Sequence, residues 1–422
     1  MTKRKIITPR PSPEEQWERL SDEVTRRGGD GEDFVSAMKE LYSVMDNRVL
    51  LWLSTLYDPN IGGFYYSPSA RDNEGFLPDI ESTLQALCII GKTGMIDSAK
   101  ELPKAMRKKI AEFVISCQDP DDGFFYHPQW GKAISKARRG RDLEWAIDLS
   151  KRLGFRLPYP TANAKAKQNA AMKNTDILKA KKLPTHFVSP DAFRTYLREL
   201  PWDKSPEGCG SELVAQALHI KAAGFSDIAV DFLNSIQDSV TGMWGKEDPY
   251  QSVITFMKIS GLYVVLGKPF HHSLKAALTA ISALTSEVTP PTACSQYDVW
   301  FALRNIMINL RTHLFVQGEK KVEIIGERLL CAAPEAIRAT KRKALLFKRA
   351  DGSFSYNQKG SSWYSQGCTV AVRGAVEGDV NASVALTQET LDKIYRATEL
   401  YDFAVDLFTK EDYEMFLDSL SL

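Results

Sequence analysis

The chain has 422 residues, with 54 Lys and Arg against 53 Asp and Glu and a formal net charge of +1. That near-balance argues against nucleic acid or an anionic membrane as the main partner, and the length allows two or three domains or one large helical one. No stretch approaches the roughly 18 uncharged apolar residues of a membrane span, and the basic opening MTKRKIITPRPSPEEQW lacks the apolar run of a signal peptide. The sequence therefore reads as a soluble cytoplasmic protein with no membrane span, open to peripheral membrane contact and silent on oligomeric state. Its six cysteines stand singly with no CxxC pair, the pattern of reduced core residues.

In chain order, residues 1–31 are charged and glycine-bearing and are expected to form an arm outside the core. Amphipathic helices follow. EDFVSAMKELYSVMDNRVLLWLSTL, SELVAQALHIKAAG, DIAVDFLNSI, SVITFMKISGLYVVLG and SLKAALTAISALTSE place apolar residues at i, i+3 and i+4. Nothing sustains strand alternation, so the class is all-α over about 32–405, with a C-terminal helix over 406–422. A Lys/Arg-rich segment near 132–185 breaks the pattern and is expected to be an exposed insertion or lid. Its Lys165, Lys167, Lys173, Lys179, Lys181 and Lys182 suit either a diphosphate or a plain solvated helix.

Between helices an aspartate-bearing turn leads through glycine to an aromatic four times: YDPNIGGFYY, CQDPDDGFFYHPQWG, IQDSVTGMWGKED and FKRADGSFSYN. With Gly63, Gly123, Gly242 and Gly352 as markers the gaps are 60, 119 and 110 residues. The two long gaps are near twice the short one, as if intervening copies had lost the signature. A period near 60 predicts repeated helical hairpins that bury their apolar faces against neighbours.

These repeats resemble those of the terpenoid cyclase and protein prenyltransferase superfamily, with Gln118 to Phe124 and Gln237 to Trp244 as degenerate forms of its Q-x-x-D-G-x-W motif. The resemblance covers about residues 50–400 and implies an α/α toroid, with rings of helices around a central cavity. Class II cyclases of that superfamily protonate an alkene with the middle aspartate of D-x-D-D-T, and PDIEST at Pro78 to Thr83 is similar. By that resemblance Glu81 takes the place of the proton donor, Asp79 that of its partner and Thr83 that of the threonine. Glutamate for aspartate and serine for the last aspartate depart from the pattern.

Two carboxyls at a helix start can share a proton when enclosed, because desolvation and like charge raise one pKa. Aspartate and threonine there are also ordinary capping residues. A second reading is a carbohydrate-active toroid, a lyase, hydrolase or epimerase, with Tyr65, Tyr66, Arg71, Asp72, Glu74 and Trp244 as substrate-binding groups. The late stretch SSWYSQGCTVAVRGAVEGDVNASVAL repeats the aromatic-turn-acid order. It offers the aromatic pair Trp363 and Tyr364, and a closed ring would bring its Arg373, Glu377 and Asp379 opposite Asp79 and Glu81. A third reading is a non-catalytic toroid that binds a ligand or partner. The substrate is expected to be a small molecule, isoprenoid or saccharide. No cofactor is called for, and Asp79, Cys209 and His219 do not reproduce a zinc-site spacing.

Overall fold

The computed structural model describes residues 11–164, 184–245 and 248–420. Helices dominate them. The strands are four dipeptides in two antiparallel pairs, Tyr57–Asp58 with Gly63–Phe64 and Tyr364–Ser365 with Cys368–Thr369. Several helices begin where the sequence supplies a capping oxygen. The side chains of Ser12, Asp30, Asp79, Ser135, Asp248 and Asp379 each accept the backbone N–H three residues on.

Three of the glycine turns share one hydrogen-bond plan. Gly62, Gly123 and Gly242 donate to the carbonyls of Asp58, Asp119 and Asp238. The carboxylates of those aspartates accept the N–H groups two and three residues on. In the fourth turn Gly352 donates to Arg349, one residue tighter, and Asp351 accepts Ser353 N–H. Gly62, not Gly63, is thus the first counterpart. The aromatics that follow, Phe64, Phe125, Trp244 and Phe354, are all buried.

Two of these glycines are required by close packing as well as conformation. Gly62 has φ +92°, and a Cβ there would stand 2.2 Å from the Lys109 carbonyl oxygen in the helix Lys104–Ser116. Gly352 has φ +91°, and its Cβ would stand 2.5 Å from Arg48 Cβ in the helix Arg48–Ser54. The last marked turn therefore seats on the first marked hairpin. In the two long gaps lie further helices without the signature, among them Pro190–Glu199, Pro206–Ala215 and Ser273–Leu284.

Helix Ile80–Lys92 packs against Lys136–Leu153 and against Val380–Val384, so early and late parts of the chain meet. Pro249–Leu266 packs against Pro206–Ala215 and against the segment Ser295–Ala344, which in turn packs on Thr390–Ala397. Ser295–Ala344 is two helices joined at Phe315, whose φ of 46° and ψ of −121° are not helical.

Two sequence expectations need correction. Residues 13–26 are not an arm outside the core: helix Pro13–Arg26 buries Leu20 and Val24 and packs on Gly31–Tyr42, because its apolar residues share one face. Residues 1–10 lie outside the described residues. The first half of the expected insertion is a core helix, Lys136–Leu153, which buries Leu143, Ala146, Leu149 and Leu153 at helical spacing. Its abundant charge hid that stripe. Lys165, Lys167, Lys173, Lys179, Lys181 and Lys182 lie outside the described residues. The C-terminal helix, Lys410–Ser419, packs on Arg48–Ser54 through buried Phe416. Among the described residues no helix is long and apolar enough to cross a membrane.

Candidate functional site

Asp79 closes an extended segment, its N–H donating to the Phe64 carbonyl, and then caps the helix Ile80–Lys92. Its Oδ1 accepts Ser82 N–H at 2.9 Å and its Oδ2 accepts the Ser82 hydroxyl at 2.7 Å. The Thr83 hydroxyl donates to the Asp79 carbonyl at 2.7 Å and accepts Phe64 N–H at 3.0 Å. Asp79 and Thr83 thus fasten the helix start to the first glycine turn, which fixes where Glu81 points.

Glu81 is buried and meets three donors. Arg138 Nη1 lies 3.0 Å and the Ser365 hydroxyl 2.9 Å from Oε2, while Gln85 Nε2 lies 3.4 Å from Oε1. Arg138, from the neighbouring helix, is itself fully buried. It also pairs with Asp79 at 3.3 Å and with Asp142 at 2.9 Å, and its guanidinium lies 4.3 Å from the Trp130 ring centre. Ser365 belongs to the Tyr364–Thr369 ribbon. That ribbon is held over the site by Ser135, whose hydroxyl donates to the Gln366 carbonyl, and by Trp130 Nε1, which donates to the Thr369 carbonyl.

One guanidinium cannot neutralise three carboxylates. With Asp79, Glu81 and Asp142 all ionised, two uncompensated negative charges would be enclosed, which costs several kcal/mol each. Retaining a proton is the cheaper state. Burial accordingly pushes Glu81 up to about 7, opposed by Arg138 and reinforced by Asp79. It pushes Asp142 up to about 6 against the same Arg138. Asp379 caps Val380–Val384, accepting Ala382 and Tyr356 N–H at 2.8 Å each, and burial pushes it up to about 7. The buried Tyr66 hydroxyl faces both acids. Burial first, then Asp379 and Glu81, push its pKa up, and it completes no hydrogen bond of normal geometry.

One turn along Ile80–Lys92 from Glu81, Gln85 lines a cavity of about 320 Å³ between that helix, Lys136–Leu153 and Val380–Val384. Gln85 Nε2 also reaches Asn381 Oδ1 at 3.3 Å, so the two amides form one edge. Leu84, Val384 and Trp145 supply apolar walls. Cys88, Tyr297 and Ala385 also line it, together with two ion pairs, Arg152 with Asp148 at 2.9 Å and Lys92 with Glu389 at 3.5 Å.

Comparison with known proteins finds no matching family model, curated protein or solved structure. The chemistry of the site therefore rests on its own geometry.

The other residues singled out in the sequence divide. Tyr66, Asp379 and Glu81 come together. Glu377 accepts Ser69 N–H at 2.8 Å and the Ser69 hydroxyl at 2.6 Å, tying the late loop to the first turn. Trp363 is partly exposed, with Arg373 5.3 Å from its ring centre, one residue before the Tyr364–Ser365 strand. Tyr65 holds its own turn by donating to Asp58 at 3.0 Å. Arg71 and Asp72 pair with each other at 2.6 Å on the surface. Trp244 is a core residue whose Nε1 donates to the Leu233 carbonyl and whose ring lies 5.6 Å from Phe256. Among the described residues no group of three or more His, Cys, Asp or Glu is placed to hold a metal ion. Cys209 and His219 lie on separate helices, away from the Asp79–Arg138 pair. Sequence reasoning missed Arg138, Asp142, Ser365, Gln85 and Asn381. The one available signal was the Arg138–Asp142 spacing of i, i+4 on the apolar side of a helix.

Proposed function

We propose that this chain is an α/α toroid of helical hairpins in which Glu81 acts as general acid on a small polar substrate held in the cavity that Gln85 lines, one helical turn from Glu81. The ring is supported by two contacts: the seating of Gly352 on Arg48–Ser54, and the packing of Ile80–Lys92 on both Lys136–Leu153 and Val380–Val384. The single observation that carries the chemistry is the enclosed Glu81 carboxyl, near 7, beside one cation shared among three acids.

In this reading neutral Glu81 gives its proton to a substrate oxygen. The carboxylate that remains is received by Arg138 and Ser365, both already within 3.0 Å, and water restores the proton. Asp79 orients this pair through the helix start and does not itself donate. The terpenoid-cyclase-like reading uses the same donor. The amides and ion pairs around the cavity support a polar substrate, of the saccharide class, over a hydrocarbon.

The test is turnover of a panel of neutral glycosides and polyols by the wild type and by Glu81→Gln. Product formation that Glu81→Gln abolishes, with an unchanged folding transition, is the expected result. Equal turnover by the variant would remove Glu81 as the acid.

A further inference from the structure

The cavity beside Glu81 has a charge balance and a hydrogen-bond pattern that specify more than polarity. Its four charged residues are two cations and two anions joined in ion pairs, Arg152–Asp148 and Lys92–Glu389, so its formal charge is zero. The lining therefore offers no net charge to balance a charged ligand, with Glu389 lying closer to Lys393, at 2.6 Å, than to Lys92. A diphosphate is disfavoured for this reason, and so is a uronate.

The uncharged edge is complementary to hydroxyl groups. Gln85 spends its Nε2 on Glu81 and Asn381, and its buried Oε1 has no partner, so an acceptor is left. Asn381 spends its Oδ1 on Gln85 and on the Cys294 thiol at 4.0 Å, so the donor it has left is Nδ2. A hydroxyl both donates and accepts, and it satisfies this pair where an ammonium or a carboxylate satisfies only half of it. Trp145 adds an aromatic surface that suits the C–H face of a ring. A volume of about 320 Å³ is at the small end of ligand sites, room for one ring and not for a long chain.

We infer that the cavity binds a neutral cyclic polyol of single-ring size, with Gln85 Oε1 and Asn381 Nδ2 as the recognition pair. This rests on the reading above for the cavity's role, but it can fail separately. Hydroxyl recognition is also where discrimination comes from. An analogue lacking the matched hydroxyl leaves the buried Gln85 oxygen unpaired, and such losses reach several orders of magnitude at sites built for them.

Cys88 lines the same cavity and is buried, with burial pushing its thiol pKa up, so its slow alkylation at about pH 9 reads access through the cavity without any activity assay. Carbamidomethylation of Cys88 is followed by residue-resolved mass spectrometry in the intact protein, with myo-inositol or methyl glucopyranoside as probe. At about 50 mM probe and a Kd near 10 mM, site occupancy slows labelling about sixfold. Glucuronate, propylammonium and geraniol are the comparison probes and are expected to slow it by less than about twofold at the same concentration. Asn381→Leu and, independently, Gln85→Leu should abolish protection by the polyols, each variant checked for an unchanged folding transition. Saturation-transfer NMR on the same probes gives a second reading that needs no cysteine. The inference is overturned if neither polyol protects, or if glucuronate or geraniol protects equally well. Protection that persists while Glu81→Gln keeps full turnover sinks the acid reading alone. Absent protection with turnover lost in Glu81→Gln sinks the polyol alone.

Discussion

Replacing Glu81 by Gln tests whether the enclosed carboxyl keeps its proton. An unfolded glutamate ionises near 4.3 and the folded one near 7. A folded pKa above the unfolded one adds stability that is fully present below about pH 4 and is lost as pH rises through about 7. For these two values the ionisation penalty on the native state is about 1 kcal/mol at pH 5 and about 3.5 kcal/mol at pH 8. Glutamine cannot ionise, keeps an oxygen to accept from Arg138 or Ser365, and escapes that penalty. The stability of Glu81→Gln relative to wild type should therefore become more favourable by roughly 2–3 kcal/mol between pH 5 and pH 8. Urea unfolding of both proteins at four pH values in that range gives the difference directly. A flat difference, or one that turns against the variant as pH rises, would mean that Glu81 is an ordinary ionised partner of Arg138.

Arg138→Met removes the cation that, among the described residues, pairs with Asp79, Glu81 and Asp142. It should cost about 3–5 kcal/mol at pH 8 and less at pH 5, where protonation relieves the same charges, read by urea unfolding. Gly352→Ala combines a strained φ of +91° with a Cβ 2.5 Å from Arg48 Cβ, whereas Gly374 has φ +84° and open space around it. The first substitution should cost about 3 kcal/mol and the second about 1 kcal/mol in the same assay, and equal costs would deny that the Gly352 turn is tightly seated. Ser365→Ala removes a hydrogen bond that favours the charged form of Glu81, so the Glu81 midpoint should rise; an unmoved midpoint would detach the ribbon from the acid.

The helical class and the recurring glycine turn were legible because both are local signals. Helical spacing of apolar residues, Asp and Ser at helix starts, and Asp-led glycine turns all declare themselves within a few residues. PDIEST was likewise readable as an acid pair at a helix start. What stayed hidden depends on contacts between distant segments. Arg138 reaches Glu81 across 57 residues and Ser365 reaches it across 284, and no local pattern encodes either bond. Basic composition around residue 138 even pointed the wrong way, because a charged residue inside a closed acid cluster has the same letter as one in solvent. Trp244 shows the opposite error. An aromatic after a glycine turn resembles a ligand platform, yet Trp244 is buried in the core against Phe256 and Tyr263.

The central claim is that Glu81 holds a proton near neutral pH inside this site. Carbon-13 NMR titration of the side-chain carboxyl, assigned by its absence in Glu81→Gln, measures that midpoint directly. The account predicts a value of about 7. A midpoint near the ordinary glutamate value of about 4.3 would contradict it.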